Sequence, residues 1–134
     1  MGCTSSKKQQ APVMRHNSKL QLPIMDMEKF LEFCESKMAG ENVRFYLAVE
    51  VYEKAWRENN SREKIKNIGE DIVLRYFSDK SPSQINTLDS ERKKILDSFA
   101  NSTFTPDTFR LVKMEIVTTL MDSIYPAFEA SLKH

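Results

Sequence analysis

The chain has 134 residues, 40% apolar and 29% charged, with only 3 Gly and 5 Pro, which fits one globular domain and excludes a fibrous or low-complexity class. Its formal charge of +1 is unevenly spread: residues 1–20 carry Lys7, Lys8, Arg15 and Lys19 and no acid, while the rest carry 16 basic and 19 acidic groups. A body of net charge −3 lacks the concentrated basic face that a phosphate backbone needs, so nucleic acid is not an expected partner.

Two cysteines, Cys3 and Cys34, cannot build a disulfide framework, and a reducing compartment is expected. No run approaches the ~18 apolar residues of a membrane-spanning helix. No secretory apolar region follows the start.

The first element is the segment MGCTSSKK. Gly2 with Ser6 four positions on matches the M-G-x-x-x-[ST] pattern for N-myristoylation. Cys3 beside it suits palmitoylation, and Lys7 and Lys8 follow. One acyl chain anchors only marginally, and a second chain or a basic patch is what makes attachment stable. The competing reading is a chance match on a polar terminus. Residues 9–22 show no sustained periodicity and read as a linker, so residues 1–22 are assigned to a lipid-anchored basic tail and 23–134 to a folded domain.

The body reads as helix throughout. Asp26 is expected to cap a helix with Met27, Phe30, Leu31, Cys34 and Met38 inward, ended by Ala39-Gly40. A second helix, Glu41 to about Glu58, has two apolar faces, Val43/Leu47/Val51 and Phe45/Val49/Tyr52/Trp56, and belongs at the centre of a bundle. Ser61 caps a third, carrying Ile65, Ile68, Ile72, Val73, Tyr76 and Phe77. The polar run SDKSPSQINTLD is a loop. Asp89 caps a fourth helix with Ile95, Leu96 and Phe99. Thr105 as cap with Pro106 as first helical residue starts a fifth, with Phe109, Val112, Ile116 and Leu120. Pro126 opens a short last helix with Phe128 and Leu132. No stretch alternates with period two, and the fold class is all-α, without repeats.

No catalytic constellation emerges. His16 lies in the tail and His134 at the terminus. Cys34 has no histidine near it in sequence and reads as a small core residue. Gly2, Gly40 and Gly69 make no phosphate-cradling loop. Glu50, Glu53, Asp71 and Glu115 show no metal-ligand spacing and read as solvated helix faces; Trp56 falls on an apolar stripe and reads as core. Neither metal nor cofactor is expected, and a binding module is expected rather than an enzyme.

At FLEFCESKMAGENVRFYLAVEVYEKA the chain resembles a regulator of G-protein signalling (RGS) domain: Phe30-Leu31, then Glu41, Asn42, Val43, Phe45, Tyr46 where the family often has Trp, Leu47, Ala48, Glu50, Tyr52 and Lys54. SPSQIN resembles the family loop that ends in hydrophobic-Asn, with Arg92 beyond Asn86. Tyr125, Pro126 and Phe128 resemble its closing Y-P-x-F. The resemblance covers about residues 27–132. It implies a bundle of about eight or nine short helices, the first within residues 10–25.

It also implies a function: acceleration of GTP hydrolysis by the GTP-bound α subunit (Gα) of a heterotrimeric G protein, with no catalytic group supplied. Carried over by position, the first contact loop supplies Glu41 and Asn42 and the second Asn86. The third departs from the pattern. Many members place Asp-Ser immediately before the tyrosine and Arg two residues after it. Here Ser123 and Ile124 precede Tyr125, Ala127 stands at the arginine position, and Asp122-Ser123 lies one residue upstream. On a continuous helix that offset turns a side chain by about 100°, so Asp122 can substitute only if the helix end is locally rearranged. The expectation is a monomer at the cytoplasmic face of the plasma membrane, with a cytosolic pool. The alternative is a tethered RGS-like scaffold that binds a signalling partner without stimulating hydrolysis.

Overall fold

The computed structural model describes residues 22, 26–78, 84–85 and 87–133. They form six α-helices and one π-helical turn, with no strand among the described residues. The helices are α1 (Met27–Ser36), α2 (Gly40–Arg57), α3 (Arg62–Tyr76), α4 (Asp89–Ala100), α5 (Arg110–Thr119) and α6 (Tyr125–Ser131), with the π turn (Leu120–Ile124) between the last two. The all-α expectation holds. The expected eight or nine helices are not matched, and residues 10–21, where the first of them would begin, lie outside the described residues, as does most of 22–25.

Local chemistry sets most boundaries. Asp26 caps α1, its carboxylate accepting from Lys29 N–H, and Ser61 caps α3 through Lys64 N–H. The stop between α1 and α2 differs from expectation. The left-handed residue is Met38 (φ 61°), not Gly40, and the Cys34 carbonyl accepts from both Lys37 and Ala39 N–H. Gly40 instead opens α2, where a Cβ would crowd the Glu35 side chain. Leu88 rather than Asp89 takes the cap position of α4, and Asp89 enters the first turn, where its charge favours the helix dipole.

The fifth helix begins four residues later than the Thr105-Pro106 signal suggests. Thr105 Oγ1 does accept from Asp107 N–H, but the Thr105 and Asp107 carbonyls accept from Thr108 and Arg110. These tight turns postpone helical pairing until Lys113 N–H reaches the Phe109 carbonyl.

As its aromatic content demands, α2 runs through the core, burying Val43, Phe45, Tyr46, Val49, Tyr52 and Ala55. The Phe45/Val49/Tyr52 face is inside as expected, whereas Val51 on the other face is exposed. Phe109 packs 5.0 Å from Tyr52 and 5.6 Å from Phe99, and Phe99 stacks 4.9 Å from Phe104. At the other end Phe128 meets Phe30 at 5.1 Å and Phe33 at 5.4 Å, fixing α6 on α1. Leu22 is buried against this core, and its N–H donates to Tyr46 Oη at 3.0 Å.

Candidate functional site

The site is assembled from three places distant in sequence. The Met38 turn sets the start of α2, so Glu41 and Asn42 fall in its first turn, both half-buried. The segment leading into α4 is pinned on both sides of position 86. Buried Ile85 donates its N–H to the Tyr76 carbonyl at 3.0 Å, and Arg92 Nε donates to the Phe77 carbonyl at 2.7 Å. Inward packing of Val112, Ile116, Val117 and Leu120 leaves Glu115 and Thr119 on the outer side of α5.

These elements enclose a cleft of about 430 Å³ lined by Asn42, Thr87, Leu88, Glu115, Ile116 and Thr119. Thr87 Oγ1 lies buried with no hydrogen-bond partner among the described residues. An unpaired buried hydroxyl carries a desolvation penalty, so a donor or acceptor arriving from outside would gain full value there. The lining is apolar at buried Ile116 and exposed Leu88 and polar at Asn42, Thr87, Glu115 and Thr119. Such a lining offers both apolar contact and hydrogen-bonding groups to whatever enters it.

Of the residues expected to form the site, Asn42 lines the cleft directly and Glu41 stands beside it in sequence without lining it. Asn86 lies outside the described residues, but its neighbours Thr87 and Leu88 line the cleft. Asp122 and Ser123 are exposed, three and four residues beyond Thr119. Gly2 and Cys3 lie outside the described residues. Thr87, Leu88, Glu115, Ile116 and Thr119 were not legible as site residues. Ile116 and Thr119 are one helical turn apart, but the same spacing marks any helix face.

Two charged residues read as solvated are not so. Glu50 and Glu53 hold the ammonium of Lys113, which is 1% exposed. Their correct reading needs the packing of α5 on α2, because Lys113 follows them by 60 or more positions. Burial raises the Cys34 thiol to about 11, matching an inert core cysteine. Among the described residues no group of three or more His, Cys, Asp or Glu could hold a metal ion, and no helix is long and apolar enough to cross a membrane.

A model of the "Regulator of G protein signaling domain" family matches residues 20–134. "Regulator of G-protein signaling rgs-6" of Caenorhabditis elegans is 30% identical over 99 residues, which is 74% of this chain and 13% of that protein. The chain therefore spans a small part of that relative's length. The match takes in every element around the cleft, and with it this chain belongs to the regulator of G-protein signalling family.

Proposed function

We propose that this RGS domain is a GTPase-activating protein for a heterotrimeric Gα subunit, acting as a monomer held at the cytoplasmic face of the plasma membrane by acyl groups on Gly2 and Cys3, with a cytosolic pool. The cleft between Asn42, the Thr87-Leu88 segment and α5 supports the reading, because it brings the start of α2 and the chain entering α4 to one surface. A Gα subunit already holds its arginine in cis and its water-orienting glutamine. What it lacks is rigidity of the switch segments. A surface that binds their transition-state arrangement more tightly than the ground state lowers the barrier, tenfold in rate for each ~1.4 kcal/mol of difference. Glu41, Asn42, Asn86, Asp122 and Ser123 make these contacts. An amide such as Asn86 suits a switch segment because it donates and accepts at once. The test is single-turnover GTP hydrolysis by α subunits of several classes with and without this protein. Acceleration of a cognate subunit is expected, and none with any class rejects the reading.

The second reading is a tethered scaffold, favoured by Ala127 and by the displaced Asp122-Ser123 pair. Pull-down against Gα loaded with GDP and aluminium fluoride separates the two. Preference for that transition-state mimic supports the activator, and indifference to nucleotide supports the scaffold.

A further inference from the structure

Leu22 belongs to no helix, yet it is buried, so its N–H needs an acceptor from a side chain. Tyr46 Oη supplies one at 3.0 Å. The same tyrosine is itself buried on α2, with its ring 5.3 Å from the Lys113 ammonium of α5. That ammonium holds Glu50 and Glu53 of α2. One chain of contacts therefore runs from the Leu22 backbone through Tyr46 to the buried cation that joins the two helices.

This chain of contacts lies one helical turn from the cleft. Asn42 lines the cleft and precedes Tyr46 by four residues on α2, and Ile116 lines it and follows Lys113 by three on α5. Residues at those spacings are neighbours on a helix face, so whatever fixes Tyr46 against Lys113 also bears on both walls. The hydroxyl is what makes the first link. The family often has Trp at this position, and an indole N–H donates but cannot accept from a backbone N–H. We propose that Tyr46 is a positioning residue: its hydroxyl clasps the Leu22 backbone, and the clasped segment braces α2 against α5, so that Asn42 and Ile116 stay at the separation the partner requires. Tyr46 acts through these walls and does not touch the partner. Its effect on a partner rests on the Gα reading above; the bracing does not.

The test uses the full chain with Tyr46→Phe, which keeps a ring beside Lys113 and removes the acceptor. Ile65→Val, a truncation of a buried side chain on α3, controls for lost stability alone. In Tyr46→Phe, amide hydrogen exchange at Leu22 and across residues 113–119 is expected to quicken by at least about tenfold, and by several-fold less across α3. Quickening at Leu22 alone, or equal quickening in α3, overturns the bracing. With GTP-bound Gα as the varied substrate, Tyr46→Phe is expected to raise KM by at least about threefold and to leave kcat within about twofold, as when an intact site binds less tightly. A fall in kcat alone, no change in either constant, or the same rise in KM for Ile65→Val overturns the positioning role. If the parent chain accelerates no Gα, the function proposed above fails, and the exchange comparison still decides whether the clasp braces the walls.

Discussion

The ammonium of Lys113 on α5 lies 2.6 Å from Glu50 Oε2 and 2.7 Å from Glu53 Oε1 on α2, so one buried cation joins the two helices that flank the cleft. Tyr46 completes the arrangement, its ring 5.3 Å from the same ammonium and its hydroxyl accepting from Leu22. A buried charge is tolerable only when paired and hydrogen-bonded, and here two carboxylates do both.

Lys113→Met leaves two neighbouring carboxylates without their cation and is expected to cost about 3 kcal/mol, read as a fall in the urea midpoint at neutral pH. Burial alone pushes the Lys113 ammonium down; the hydrogen bonds and charges of Glu50 and Glu53 together outweigh it, and the net shift is upward from 10.5. The ion-paired contribution is therefore complete below pH 10.5 and disappears as the pH rises through the raised folded value. Stability of the parent should fall across that alkaline window, and Lys113→Met should not show that component.

Gly69 brings α3 against α4 so closely that a Cβ would overlap the Phe99 ring. Gly69→Ala gains helix propensity but forces that ring from its stack on Phe104, and a net loss of about 1–3 kcal/mol is expected. Thermal unfolding checks it, and a raised Tm contradicts the packing described.

Cys34 is fully buried, with its thiol raised to about 11. At pH 8 iodoacetamide should leave Cys34 unmodified in the folded protein and label it after denaturation, as read by peptide mass spectrometry.

Asn86→Ala should reduce GTPase acceleration by about tenfold or more while changing stability by less than about 1 kcal/mol. Pinning of the chain at Ile85 and Arg92 motivates the small stability effect. Paired hydrolysis and denaturation measurements check it, and equal losses in both assign Asn86 to the turn rather than the contact.

Gly2→Ala should leave acceleration intact in detergent-free solution and reduce it with Gα on vesicles. A shared tether raises effective concentration without adding a contact, so only the membrane arm loses it. Equal loss in both arms rejects the lipid reading of the tail.

Much of the fold was readable because its signals are local. Asp26 and Ser61 cap the helices they were expected to cap, since a cap needs only a side chain and an N–H three residues on. Where local rules failed, a longer contact had decided. The helix expected to run to Ala39-Gly40 stops earlier, with Met38 left-handed, and Gly40, where a Cβ would crowd Glu35, already belongs to α2. Thr105 caps no α-helix, because its carbonyl is already taken by Tyr52 Oη at 2.7 Å and by Thr108 N–H.

The sequence by itself determined the all-helical class, most of the buried faces, the family and the positions of Glu41, Asn42, Asn86 and Asp122 along the chain. Only the tertiary structure decided that Asn42, Thr87, Leu88 and α5 enclose one cleft, that Lys113 is a buried partner of Glu50 and Glu53, and that the helix at Asp122 is wound as a π turn. The physical reason is range. Capping and periodicity act within about one helical turn and are written in neighbouring residues. Clefts, ion pairs and helical phase depend on which side chains meet across the bundle, as Lys113 meets Glu50 and Glu53.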